Sequence, residues 1–200
     1  MKLLIASGNP AKIEELKKYL NDMPFEIVTL KDLDISDSAE ETGETFLENA
    51  VLKAKHFAKL TGLLTLADDG GLEIDYLGGA PGVKSRRWLG YEMTDEELIS
   101  EVMKRTRGVP EEKRECTLRL VLALVSPEGD IHTSEGVVSG LISEEPSPKR
   151  IKGYPYRSFF YFPQFEKFYV DLNEEEHAEV NQRKAALEKL KPILKKIFTS

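Results

Sequence analysis

Apolar residues along the chain alternate between two rhythms. The run Leu3-Leu4-Ile5-Ala6 predicts a strand over 2–7, and Ile13, Leu16 and Leu20 then repeat at helical spacing and predict a helix over 10–21. The alternation continues with strand 25–30, an acidic loop through 43, helix 44–61, strand 63–68 and a Gly-rich loop through 83. Thr94-x-x-Glu97 reads as a capping box opening a helix to Arg107. Residues 115–126 and 130–143 read as long strands joined by the turn Ser126-Pro-Glu-Gly129 into an antiparallel hairpin. A Pro- and Lys-rich connector at 146–152 leads into an aromatic stretch, and 173–199 reads as a charged helix, or a pair of helices around Pro192. The order of elements predicts an α/β fold.

Composition narrows the field. The 200 residues are 40% hydrophobic, enough for one well-packed domain or for two lobes. A formal net charge of −7, with no block of basic residues to offset it, argues against a nucleic-acid polymer as partner but leaves a small phosphorylated ligand open. The single Cys116 sits in the apolar run 116–125, reads as a buried thiol and fits a reducing cytoplasm. The first apolar run is too short for the core of a signal peptide, and no stretch approaches the roughly 20 apolar residues of a membrane span. A soluble, cytoplasmic protein with no membrane partner is expected.

Four segments suggest chemistry. Ser7-Gly8-Asn9-Pro10-Ala11-Lys12 joins a strand to a helix, with Asn9 as N-cap and Pro10 in the first helical position. It reads as an anion-binding turn, or as an ordinary capped helix with Lys12 solvated. Asp68-Asp69-Gly70-Gly71 puts neighbouring carboxylates at a strand end, where a divalent cation relieves their repulsion; a structural turn is the plainer reading. The segment Glu40-Glu41-Thr-Gly-Glu44 adds oxygen donors of the type Mg²⁺ prefers. Lys53 shares a helical stripe with Phe46, Ala50 and Phe57, either snorkelling to solvent or aimed at phosphates. Of the chain's 9 Phe, 7 Tyr and 1 Trp, more than half lie between Tyr154 and Tyr169, so the stretch supplies core and leaves room for a stacking ring. Arg183 is either a hydrogen-bond donor to a base edge or a solvated helix charge. His132 and His177 lack the spacing of zinc ligands.

Taken together, these segments resemble the inosine triphosphate pyrophosphatase family, also described as dITP/XTP pyrophosphatases. The resemblance rests on Ser-Gly-Asn-x-x-Lys-x-x-Glu at Ser7 to Glu15, Glu-Thr-Gly-x-Thr-Phe-x-Glu-Asn-Ala-x-x-Lys-Ala at Glu41 to Ala54, and Ala67 to Leu72. The block Gly78-Gly79-x-Pro81-Gly82-Val83-x-Ser85-x-Arg87 extends it. It implies one elongated α/β domain, 1–200, with a central mixed sheet flanked by helices and two lobes about a deep substrate cleft, assembled as a homodimer. The implied activity is Mg²⁺-dependent hydrolysis of deaminated purine nucleoside triphosphates such as ITP, dITP and XTP to the monophosphate and pyrophosphate, clearing aberrant nucleotides.

By position, the resemblance gives Ser7, Gly8, Asn9, Lys12, Lys53 and Gly70 to the triphosphate, Glu40, Asp68 and Asp69 to the metal, and catalysis to Asp69 as general base and to Lys53 as the cation that neutralises the reacting phosphates. Tyr154, Tyr156, Arg157, His177, Gln182 and Arg183 fall at base-recognition positions. Here the chain departs from the family pattern. Gly153-Tyr-Pro-Tyr-Arg157 replaces Gly-Phe-Gly-Tyr-Asp, His177 stands for a Lys, Asn181-Gln182-Arg183 for Ser-His-Arg, and Gly70 for a Ser. The departures open two other readings: a pyrophosphatase for a different modified nucleotide, or a weakly active nucleotide sensor.

Overall fold

The computed structural model describes residues 2–199, and among these, seven strands form one mixed sheet in the order β2-β1-β3-β4-β5-β6-β7. The strands are β1 (Lys2–Ile5), β2 (Glu26–Thr29), β3 (Leu64–Ile74), β4 (Glu115–Val125), β5 (Ile131–Ile142), β6 (Phe160–Phe162) and β7 (Lys167–Phe168). The helices that flank the sheet are α1 (Pro10–Tyr19), α2 (Phe46–Thr61), α3 (Asp95–Arg105), α4 (Glu174–Val180) and α5 (Gln182–Thr199). β1 runs parallel to both β2 and β3, as expected for strands joined through α1 and α2. β6 runs antiparallel to β5 and β7. The α/β class expected from the apolar rhythm is the class observed.

The chain divides into two compact units. The first comprises residues 1–69, 120–136 and 182–200, and its core joins Leu3 and Ile5 of β1, Leu16 and Leu20 of α1, Leu66 of β3, alternate leucines of β4 and Leu187, Leu190 and Leu194 of α5. Gly136 is a glycine because α5 begins against it: a Cβ there would stand 1.8 Å from the carbonyl oxygen of Gln182. The second unit comprises 70–119 and 137–181; Leu72, Ile74, Ile99, Val102, Cys116 and Leu118 pack with Phe159, Phe160, Phe162 and Tyr169. Much of the aromatic stretch is thus core. None of the described helices is long and apolar enough to cross a membrane.

Two expectations need correction. β3 does not end at Asp68 but continues to Ile74, so the Asp-Asp-Gly-Gly run lies inside a strand rather than in a turn. Gly71 answers a close approach: a Cβ there would meet Ser85 Oγ at 2.2 Å. The C-terminal helices divide at Asn181, whose backbone is extended (φ −76°, ψ 109°), and α5 runs straight through Pro192. Pro192 is exposed, so the carbonyl left without its helical donor can turn to water.

Candidate active site

The charged side chains of the first unit converge on Asp68. Asn9 caps α1 by accepting from the Ala11 and Lys12 backbone N–H groups at 3.0 and 3.5 Å, and Ser7 Oγ accepts from the Asn9 N–H at 3.2 Å. The cap therefore satisfies part of the helix end that the sequence left open to an anion, while Gly8 stays exposed. One turn in, Lys12 extends its ammonium to Asp68 Oδ2 at 2.9 Å. The same oxygen accepts from Arg183 Nη2 of α5 at 2.9 Å, and Arg183 Nη1 donates to Glu15 of α1. Arg183 is only 4% exposed, so it is not a solvated helix charge.

Lys53 reaches into this cluster from α2. Its Nζ donates to the Asp68 carbonyl oxygen at 3.0 Å and forms an ion pair with Glu41, which settles the snorkelling question in favour of an inward ammonium. Burial alone would lower its pKa, but Asp68, Glu41 and Asp69 raise it above the ordinary lysine value, so it stays charged. Burial likewise opposes ionisation of Asp68, and Lys12, Arg183 and Lys53 overcome it, holding that carboxyl far below the usual range. Asp69 behaves in the opposite way. Burial pushes it up to about 6, with Glu41 adding to the rise and Lys53, Lys12 and a hydrogen bond from Asn49 restraining it.

Adjacent carboxyls thus hold their protons very differently, the pattern that separates a structural acid from one able to exchange a proton near neutrality. Asp69 Oδ2 is also buried with no hydrogen-bond partner. Such an oxygen in a native fold calls for a ligand, an ion or water. Among the described residues no three acidic, imidazole or thiol groups converge on one point. That suits Mg²⁺, which takes one or two protein carboxylates and completes its shell with water and phosphate oxygens. Asp69 and the acidic loop fit such an ion. Asp68, its oxygen shared by two cations, is less available, and Glu40 is exposed whereas its neighbour Glu41 meets Lys53.

In the second unit the guanidinium of Arg157, itself buried, stacks on the Tyr154 ring at 3.7 Å and lies 4.7 Å from the Tyr169 ring centroid. His177 of α4 packs on Tyr169 at 5.3 Å. The Tyr156 hydroxyl is buried without a hydrogen-bond partner, and its pKa is pushed up to about 12 by burial. Gly70 lies in the part of β3 that belongs to this unit, and Gln182 opens α5 in the other. Glu15 and Asn49 were not singled out from the sequence. Their signals were present: Glu15 lies one turn after Lys12, and Asn49 is a polar residue beside Ala50 on the buried stripe of α2.

A parallel β-α-β-α-β segment that gathers lysines and an arginine around paired aspartates defines an α/β protein with a buried, mixed-charge cluster. Residues 3–193 match the Ham1 family, and the chain belongs to it. Its similarity to the curated dITP/XTP pyrophosphatase of Desulforamulus reducens is 36% identity over 198 residues, 99% of this chain and 98% of that protein. The Escherichia coli protein of the same name is 38% identical over 196 residues, 97% of this chain and 98% of its own. Among solved structures, a HAM1 protein from Coxiella burnetii superposes with a TM-score of 0.85 at 35% identity, covering 98% of this chain and 99% of that one. The Staphylococcus aureus Ham1 protein gives 0.83 at 30% identity, with 97% and 98% covered.

Proposed function

We propose that this protein hydrolyses deaminated purine nucleoside triphosphates, dITP and XTP among them, to the monophosphate and pyrophosphate with Mg²⁺ as cofactor. The enzyme class follows from the family and from the shared name of its curated relatives. The observation that carries the reading onto this chain's residues is the buried Asp69 carboxylate, unpartnered at Oδ2, beside Lys53 and Lys12.

Three demands of phosphoanhydride hydrolysis find residues here. Charge building on the phosphoryl oxygens needs cations held in place beforehand, and Lys12 and Lys53 are fixed by Asp68 and Glu41. The attacking water needs an acceptor for its proton, and Asp69, raised to about 6, is ionised at neutral pH yet basic enough to take one. The polyphosphate must be oriented, a task for Ser7, Gly8 and Asn9 at the head of α1 and for Gly70. Mg²⁺ held by Asp69 and the Glu40–Glu41 loop would supply Lewis-acid charge neutralisation. Asp68 and Arg183 act one step back, keeping Lys12 and Lys53 in position. Attack at the α-phosphorus makes pyrophosphate the leaving group.

Base choice belongs to Tyr154, Tyr156, Arg157 and His177 of the second unit. Arg157 covers one face of Tyr154, so a stacked base has to take the other face or displace the guanidinium. The same reading carries a cytoplasmic homodimer, which light scattering tests. The decisive experiment for the activity is a panel of purine, pyrimidine and deaminated triphosphates with Mg²⁺, resolving monophosphate, pyrophosphate and orthophosphate. Pyrophosphate from dITP and XTP in excess over that from ATP is expected. Orthophosphate as the first product, or no turnover of any triphosphate, overturns the reading.

A further inference from the structure

The geometry points to Asn49 as the positioning residue that holds the Glu40–Glu44 loop in register with the Asp69 carboxylate, so that loop and strand offer oxygens to the same divalent cation. This assignment rests on the pyrophosphohydrolase reading above and deepens it. Asn49 lies in the first turn of α2 and is 1% exposed. Its Oδ1 accepts from the Gly43 N–H at 2.8 Å, and one turn further along α2 Lys53 pairs with Glu41 of the loop while donating to the Asp68 carbonyl oxygen of β3 at 3.0 Å. A carboxamide suits the place because it accepts the loop N–H without adding a further negative charge to the acidic cluster.

The rest of the loop is pinned from the same turn. Glu48 Oε2 accepts from the Glu44 and Thr45 N–H groups at 2.7 and 3.0 Å, and Thr45 Oγ1 accepts from the Glu48 N–H at 3.1 Å. Three consecutive backbone N–H groups, those of 43, 44 and 45, therefore end on the side chains of Asn49 and Glu48. Gly43 is the fitting residue for this seat, since a Cβ there would lie 2.6 Å from Glu48 Cβ and 2.8 Å from Asn49 Oδ1. Acidic loop and helix start are locked through one buried amide, and Lys53 of the same helix ties them to β3. Residues that orient metal-binding carboxylates matter for affinity almost as much as the ligands themselves.

Asn49→Ala and Gly43→Ala test the assignment from both sides of the bond, the second leaving the amide of Asn49 intact and keeping the test open should the first not fold. Mn²⁺ binding without nucleotide, read by electron paramagnetic resonance, is expected to weaken about ten- to hundredfold in each. The Mg²⁺ concentration for half-maximal activity should rise in step, while KM for nucleotide at saturating Mg²⁺ stays within about twofold. Amide exchange at residues 43–45 in the metal-free protein should quicken. A variant that melts at a lower temperature yet binds Mn²⁺ as the wild type does would reduce Asn49 to a structural residue and overturn the assignment. A wild type that binds Mn²⁺ in an Asn49-dependent way but releases no pyrophosphate would remove the pyrophosphohydrolase reading and leave Asn49 in its place.

Discussion

The cluster around Asp68 in the first unit is gathered by charge, the cluster around Tyr154 in the second by ring faces, and the two gatherings place different demands on the sequence. Around Asp68, cations from α1, α2 and α5 meet a carboxylate from β3, and the arrangement keeps Lys53 charged beside an Asp69 that holds its proton more tightly than usual. Around Tyr154 and Tyr169, one guanidinium and one imidazole lie against tyrosine rings. Charge pairs of the first kind fix residue identity tightly, because removing one partner strands the other in a dry site. Ring stacking is more tolerant.

If that contrast is right, substitutions in the charged cluster should strike chemistry and stability, and those in the aromatic cluster should strike base choice. Asp69→Asn is expected to lower kcat about 10³-fold, within the range for loss of a general base, with the circular dichroism spectrum unchanged; a loss below tenfold would take Asp69 out of the mechanism. Asp68→Ala should cost about 3–5 kcal/mol in urea unfolding, because Lys12 and Arg183 lose a shared buried partner.

Asp69→Asn should also raise stability in metal-free buffer at pH 8. The folded-state pKa of Asp69, about 6, lies above its ordinary 3.8, so the fold favours the protonated form. That contribution is complete below the unfolded-state pKa and is lost as pH rises through the folded one. Above pH 7 the ionised wild type therefore bears a cost of up to about 3 kcal/mol that the amide escapes. The gain should vanish near pH 4, and equal stability of variant and wild type at pH 8 would contradict it.

The smallest effects belong to Arg157. Arg157→Ala should cost about 1 kcal/mol of stability, the scale of a stacked guanidinium, and leave turnover of the best substrate within about tenfold. Arg157→Asp with Gln182→His should raise the preference for ITP over ATP. Loss of all turnover from Arg157→Ala would break the division between the two regions.

Much of the fold and of the charged cluster was legible in the residues, for physical reasons that also mark where legibility stops. α3 announces its start because Thr94 builds a capping box with Glu97, three positions away, and the structure shows the same device at Thr45 of α2. β3 hid its second half because Gly70-Gly71 imitates a turn, and the contact that explains Gly71 comes from Ser85, fourteen positions on. Lys12, Lys53, Asp68 and Asp69 stood out as residue types on predicted elements. Two partners of Arg183, Asp68 and Glu15, lie 115 and 168 positions away, and local patterning carries no trace of such pairings. Glu41 and Glu40 are neighbours of the same type, and only side-chain placement gives Lys53 to Glu41.

The central claim is that Asp69 prepares a water for attack at the α-phosphorus, between lysines already set to take the charge. Hydrolysis of dITP in H₂¹⁸O with Mg²⁺, followed by mass spectrometry of both products, tests it most directly. One ¹⁸O in dIMP and none in pyrophosphate is the predicted result, and label in the pyrophosphate would contradict it.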